Sequence, residues 1–489
     1  MSKKLSFLVT ALLLSSLIAE QARSDSKKEG GQNEAASKEP GASEPLAAES
    51  KKKETKTELP KQASAASSES AQAPTLQING FTAMIAAASK QKDNSNGKGG
   101  GAHVALGASN IFFTVKGNSA EGFRYKYRVA MESYPGGKST SNNAIYFTQN
   151  YIEFSQDSWG IFQTGNVVGV EDTMVESGFN LLQGAGSIDG TFGNIINSAE
   201  GVIGGVQQHG GTSKAMKVVY YTPTIHGVTL GLAWTPNTTR MGTGGKDNSG
   251  ASPDNTYGND SGIYPDKSIA AYGMNNLALG ANYKVDFKTW NMALAAVFIQ
   301  ERSKRGSPKW VEGQSGAYND STLEFFKYSK VHRGKSMQYT AAIGFDQWRF
   351  ATGFIHNGKT RVPKTSNYRS GDAGKAWNIA GQYTVGAYQF ALGYFNTTRM
   401  LPQLPSSSTA TYKYGATGGK AKSHIVSATI DFNALQGLKF FGEVDVFKMN
   451  TDSNYSTFVG NTTKYKSGST VPTPKNSGAA VVVGTKLSF

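Results

Sequence analysis

From about residue 75 onward, apolar and polar side chains alternate with a period of two in segments of about ten residues. The clearest segment lies between Gly122 and Tyr134. A helix would scatter the two sets around its circumference, whereas a strand places them on opposite faces. The pattern therefore predicts a β-strand with Phe123, Tyr125, Tyr127, Val129 and Met131 on its apolar face and Arg124, Lys126, Arg128, Ala130 and Glu132 on the other.

Sixteen segments of this kind can be counted, with approximate centres at residues 80, 110, 128, 150, 163, 220, 231, 281, 295, 340, 352, 380, 391, 428, 443 and 484. Seven tight turns alternate with eight long polar connections between them. A soluble sandwich of two sheets can show the same alternation. The even count and the alternating connection lengths favour a membrane barrel, which must close because lipid offers the backbone no hydrogen-bond partner.

The two ends of the chain fit such a barrel. The terminal segment from Val481 to Phe489 alternates in the same way, which suits closure against a strand that begins near Leu76. We therefore predict an all-β, sixteen-stranded antiparallel transmembrane β-barrel over residues 75–489. Its turns would be periplasmic and its long loops extracellular.

The first 74 residues have a different character. Lys3 and Lys4 precede an apolar run that ends at Ala19, and Ala22-Arg23-Ser24 follows, which is the layout of a secretory signal peptide. A retained membrane anchor is the less favoured alternative, because the run is shorter than a helical span. Residues 25–74 are rich in Ala, Ser, Glu, Lys and Pro and carry too few apolar side chains to order themselves. We predict a signal peptide over residues 1–24 and a disordered tether over residues 25–74.

Composition narrows the remaining classes. The chain has 489 residues, no cysteine, 11% aromatic residues and a net charge of +15. Its mean hydropathy of −0.39 argues against a polytopic helical membrane protein. The absence of cysteine excludes disulfide frameworks, Cys-ligated zinc and thiol catalysis. Residues 75–489 hold 39 bases and 25 acids, so nearly all of the basic excess lies in the predicted barrel.

Several segments resemble the Gram-negative general porins. They are Tyr151-Ile152-Glu153-Phe154-Ser155, Gly160 to Asn166, Glu171-Asp172-Thr173-Met174, Val219 to Pro223 and the C-terminal Phe489. The resemblance covers residues 75–489 and implies a homotrimer of diffusion channels in the bacterial outer membrane. It also implies that the third loop constricts the lumen and that Phe489 serves insertion by the barrel assembly machinery.

The pore chemistry follows from this placement. The predicted third loop, residues 168–213, carries Glu171, Asp172, Glu176, Asp189 and Glu200. If it folds inward, its carboxylates would face the row Arg124, Lys126 and Arg128 and set up a transverse field. Glu153 and Lys217 are predicted to line the same lumen. We expect passive diffusion of small hydrophilic solutes and ions with a mild preference for anions and with no cofactor. Surplus bases in the outer loops are predicted to contact lipopolysaccharide phosphates.

Other functions are less favoured. An enzyme would need clustered acid, base or nucleophile groups at the barrel mouth, and the sequence shows none. The six histidines lack close ligand spacing for a metal. Export and strict separation of the faces argue against nucleic-acid binding. A substrate-specific porin for phosphate or sugar is the alternative within the channel class, and an outer-membrane adhesin is a more distant one.

Overall fold

The computed structural model of the chain describes residues 72–92, 101–106, 109–133, 145–182, 196, 215–237, 271–305, 332–360, 372–400, 420–451 and 475–489. These residues belong to the compact unit Thr55–Phe489. The predicted signal peptide and all but the last three residues of the predicted tether lie outside the described residues. Asp189 and Glu200 of the predicted third loop also lie outside them.

Within the described ranges the chain forms sixteen strands, the second of them in two pieces. They are β1 (Gln72–Gln91), β2 (Gly101–Leu106 and Ser109–Asn118), β3 (Arg124–Ser133), β4 (Ile145–Gln156), β5 (Gly160–Val167), β6 (Ala215–Tyr221), β7 (Val228–Asn237), β8 (Ala271–Asp286), β9 (Trp290–Arg305), β10 (Gly334–Phe345), β11 (Trp348–His356), β12 (Lys375–Val385), β13 (Tyr388–Met400), β14 (Lys420–Leu435), β15 (Leu438–Thr451) and β16 (Lys475–Ser488). β1 begins three residues before the predicted start of the barrel at residue 75.

Each strand pairs antiparallel with its neighbours in sequence, and β1 pairs with both β2 and β16. At the seam, Phe81 lies opposite Ser488, and the backbone N–H groups of Gly80 and Phe489 each donate to the carbonyl of the other at 3.0 Å. The sheet is therefore a closed sixteen-stranded antiparallel β-barrel, as predicted. Closure gives both edge strands a hydrogen-bond partner, which a sheet in lipid requires.

The two faces of the wall differ as the alternation predicts. On β7, Leu230, Leu232 and Trp234 are exposed on the outside, while Gly231 and Ala233 between them are buried on the inside. The same outward exposure of large apolar side chains recurs around the wall, for example at Ile343, Phe354 and Val446. A soluble sandwich would bury this face, so the exposed band is that of a membrane barrel.

The chain between β5 and β6 enters the barrel instead of leaving it. Its described part begins with the short helix α1 (Val170–Thr173) and continues to a single 3₁₀ turn (Gly178–Leu181). Val170, Met174 and Leu181 are almost fully buried. In the described part of the chain, no helix has the length and apolar character needed to cross a membrane.

Candidate pore constriction

The described part of the third loop follows the inner face of the wall from β6 to β13. Its first half lies against β6, β7 and β8, and its second half lies against β10, β11, β12 and β13. It is held at two places, and each place combines an ion pair with close packing. The predicted inward fold of the third loop is therefore seen over residues 168–182.

The first attachment is at α1. The Glu171 Oε1 lies 3.3 Å from the Lys217 Nζ on β6, and neither side chain has any exposed surface. Beside this pair, Met174 and Val170 pack against the inward faces of Gly231 and Gly280, where a Cβ atom would collide with them. The two glycines therefore form the niche that admits the helix.

The hydroxyl of Thr173 adds a polar contact to the first attachment. Its Oγ1 lies 2.6 Å from the Tyr221 Oη on β6 and 3.1 Å from the Gly169 carbonyl, to which it donates. Thr173 thereby links the first turn of the helix to the wall, so the helix is fixed by an ion pair, a hydroxyl contact and apolar packing at once.

The second attachment lies around the 3₁₀ turn. Glu176 forms an ion pair with Arg349 on β11, and its backbone N–H donates to the Thr340 Oγ1 at 3.2 Å. Further along, the Gly178 N–H donates to the Asn378 Oδ1 at 2.8 Å, and the Gln382 Nε2 donates to the Leu181 carbonyl at 2.6 Å. Side chains of the wall thus satisfy backbone groups that a buried loop would otherwise leave unpaired.

The predicted row of bases lies on β3 and faces the lumen. Arg124 pairs with Asp157 in the turn after β4, and the Lys126 Nζ lies 2.6 Å from the Glu153 Oε2. Glu153 also accepts a hydrogen bond from the Gln163 Nε2 at 2.6 Å. Two of the three predicted bases are therefore partly neutralised by carboxylates on β4 and in the turn that follows it.

Arg128 differs from the other two members of the row. Its guanidinium carbon lies 4.4 Å from the centre of the Phe112 ring, a cation–π contact. Within the described residues it forms no ion pair, and its buried Nε has no hydrogen-bond partner. Arg128 is therefore the base of this row whose charge no described carboxylate offsets.

The ion pairs of the third loop differ from the predicted ones. Glu171 and Lys217 were expected to line the lumen, but they are buried against each other, because α1 turns Glu171 toward β6. Glu176 reaches Arg349 and not the row on β3. Since β3 and β11 are eight strands apart in a ring of sixteen, Glu176 lies across the lumen from the row. Asp172 is half-buried on α1 beside Glu171.

Several residues that contact the predicted site were not among its predicted members, among them Arg349, Asp157 and Gln163. Gln163 lies opposite Glu153 across the tight turn between β4 and β5, so counting back from that turn would have identified it. The alternation predicts that Arg349 points inward, but the sequence does not indicate that it contacts Glu176 on the third loop. Among the described residues, no group of three or more His, Asp or Glu side chains is placed to hold a metal ion.

The chain is similar to known proteins in sequence and in structure. A family model described as Gram-negative porin matches residues 62–453. Among solved structures, a mutant of the Rh. blastica porin aligns with 11% identity over 85% of this chain and 100% of its own, with a TM-score of 0.44. OmpT of Vibrio cholerae, in its trimer form, aligns with 10% identity over 86% of this chain and 100% of its own, with a TM-score of 0.46. No curated protein matches the chain.

Proposed function

Since the chain belongs to the Gram-negative porins and is an outer-membrane porin, we propose that it is a passive diffusion channel for small hydrophilic solutes and ions with a mild preference for anions. A barrel of sixteen strands encloses an aqueous lumen, so passage needs neither a cofactor nor a conformational cycle. In this proposal residues 1–24 are the export signal, residues 25–74 are a tether, and the long loops face the cell exterior.

The anion preference rests on one observation, the state of Arg128. Fixed charges at a narrow point of a channel set its selectivity. In the described part of the lumen, Arg124, Lys126, Lys217 and Arg349 each lie beside a carboxylate, whereas Arg128 does not. A base that no carboxylate neutralises attracts anions from the lumen and repels cations.

The test is the reversal potential under a KCl gradient, measured with purified protein in a planar bilayer. We expect Arg128→Ala to move the reversal potential toward cation preference by more than Arg124→Ala or Lys126→Ala does. Arg128→Lys keeps the charge and serves as the matched control, and it should retain the wild-type value. An equal or larger shift in the Lys126 variant would overturn the role of Arg128, and a folded protein without any channel would overturn the proposed function.

We also propose that the protein assembles as a homotrimer through the outer face of β4 and β5. Asn150 and Asn166 lie opposite each other on these strands and point outward. Asn166 lies six residues beyond the start of β5, which at about 3.3 Å per residue and a tilt of about 40° is about 15 Å into an apolar band about 25 Å tall. Asn150 is exposed and Asn166 is half-buried. An amide at that depth is costly in lipid, so a neighbouring subunit is the favoured cover.

The C-terminus supports the proposed interaction with the barrel assembly machinery. Phe489 is joined to Gly80 by two backbone hydrogen bonds, and the residue is 64% exposed on the outside. A Cβ atom on Gly80 would lie 2.8 Å from the tip of the phenyl ring, so the glycine provides the space for the ring at the seam. The terminal residue therefore both closes the barrel and presents an aromatic group outward.

A further inference from the structure

Three lysines form a patch on the outer wall, at the end of the barrel that bears the long connections. Lys375 on β12, Lys422 on β14 and Lys448 on β15 are all exposed. On each strand, an apolar residue that also points outward lies closer to the middle of the wall than the lysine does. These residues are Trp377, Val426 and Val446. We call these three residues the lysine patch.

The strand register brings the patch together. Lys375 lies opposite Thr398 on β13, and Thr398 lies opposite Lys422, so the first two lysines are two strands or about 10 Å apart. Lys448 lies opposite His424, which places it about 7–8 Å diagonally from Lys422. Lysine carries a compact charge on a flexible four-carbon stem, so the three ammonium groups can converge on one anionic group.

No described carboxylate neutralises the patch. Within the described part of the chain, Lys375, Lys422 and Lys448 form no ion pair. The acids of β14 and β15 point inward and are buried: Asp431, Glu443 and Asp445. The nearby Asp372 accepts hydrogen bonds from the backbone N–H groups of Gly374 at 3.0 Å and Met400 at 2.9 Å.

The connections next to the lysine patch are also positively charged. Residues 361–371, 401–419 and 452–474, which follow β11, β13 and β15, hold six bases and one acid. Two other long connections, residues 238–270 and 306–331, hold six bases and seven acids. Exposed bases also occur at this end on other strands, for example Lys90 on β1 and Lys335 on β10. The sector around the patch is set apart by the net charge of its connections.

The height of the patch corresponds to the level of lipid headgroups. From Val385 at the turn end of β12 to Lys375 is ten residues, which at about 3.3 Å per residue and a tilt of about 40° spans about 25 Å, the height of the apolar band. Just below the patch, the Tyr394 Oη lies 2.7 Å from the His424 Nδ1, and the Trp377 and Tyr394 rings lie 5.1 Å apart. Amphipathic rings of this kind mark the membrane–water interface.

We propose that the lysine patch binds the phosphate groups of an anionic glycolipid, lipopolysaccharide, in the leaflet that surrounds the long connections. Lysine ammonium groups bind phosphates as point charges, and the apolar wall below accommodates the acyl chains of the same molecule. The inference rests on the proposed function only for the orientation of the barrel. It gives this porin a lipid site on its outer wall, away from the ion path.

The test measures binding of three probes to the folded protein in detergent: diphosphorylated lipid A, the same lipid after removal of its phosphates, and inorganic phosphate. The wild type should bind the phosphorylated lipid about a hundredfold more tightly than the dephosphorylated lipid, and inorganic phosphate should not compete at equal concentration. The combined substitution Lys375→Ala, Lys422→Ala and Lys448→Ala should remove this difference. Changing all three lysines to Arg should preserve it and so controls for folding.

A second control is Lys288→Ala, which removes an exposed base from the turn between β8 and β9 at the opposite end. It should bind the phosphorylated lipid as the wild type does. Unchanged affinity in the triple variant would overturn the proposal, as would competition by inorganic phosphate, which would indicate a free-anion site. Single-channel conductance of the triple variant should equal that of the wild type. A channel that conducts but shows no phosphate-dependent lipid binding refutes the lipid site alone.

Discussion

The Glu171–Lys217 pair should determine whether the third loop stays against the wall. Both side chains are fully buried with their charged atoms 3.3 Å apart. Removing one partner leaves the other as an uncompensated buried charge, which costs about 3–5 kcal/mol. At 1.4 kcal/mol per factor of ten, the equilibrium between attached and detached loop shifts by roughly two to three and a half orders of magnitude.

The design is a double-mutant cycle with Glu171→Met, Lys217→Met and the two combined. Each single variant should show more frequent closing events and a broader conductance distribution in single-channel recordings, because a detached loop moves within the lumen. The double variant replaces the pair by apolar side chains of similar length in an apolar niche, so it should recover most of the wild-type stability. The coupling energy between the two sites should be favourable and exceed about 2 kcal/mol.

The second ion pair of the same loop is the internal control. Arg349 keeps 35% of its side chain exposed, and Glu176 keeps 15%. Solvent partly screens this half-buried pair, so its loss should cost less than the loss of the fully buried one. A Glu176→Gln variant should therefore alter channel noise far less than Glu171→Met does. Equal effects at the two sites, or a double variant as noisy as the sum of the singles, would refute the reasoning from burial.

Three further outcomes are expected. Gly280→Val should displace the third loop, because a Cβ atom at this position would lie 2.6 Å from the Met174 Sδ. Bilayer recording should therefore show a changed single-channel conductance, and an unchanged conductance would contradict the packing. Gly80→Val should slow folding into detergent, because its side chain would occupy the space of the Phe489 ring; the change in gel mobility of unheated samples reports the folded fraction. Asn166→Leu should lower the temperature at which oligomers dissociate on gels, because the outer face of β4 and β5 is proposed to contact another subunit. If this face contacts lipid instead, the variant should leave the oligomers unchanged and stabilise the barrel.

The strand count and the faces of the strands were predictable because lipid imposes them. A spanning strand must alternate apolar and polar side chains, and each strand must have two neighbours, so the pattern around Tyr127 or Leu232 has one consistent interpretation. Pairs across tight turns are predictable for the same reason. The short turn after β4 fixes its register with β5 and places Gln163 opposite Glu153.

Contacts of the third loop were not predictable, because its 46 residues impose no register on the wall. The sequence identifies Glu171 as an acid in that loop and Lys217 as an inward base, but it does not indicate that they meet. The contact between Glu171 and Lys217 depends on Gly231 and Gly280, which together leave room for the helix. That these two glycines lie opposite each other is evident only once β7 and β8 are paired. A pair predicted to line the pore is therefore an anchor.

The inner wall is unequal around its circumference in how much of its side-chain surface is exposed to the lumen. From β10 through β16 to β1, many inward side chains are apolar and buried, and they form one cluster with Leu181, Leu182 and Ile196 of the third loop. The inward residues of β3 and β4 include Arg124, Lys126, Arg128 and Glu153, which keep partial exposure. The inward acids of β14 and β15, Asp431, Glu443 and Asp445, are buried as well. In the proposed channel, ions would therefore meet the side chains of β3 and β4 that solvent reaches, and a base without a carboxylate partner on β3 is expected to bias the current.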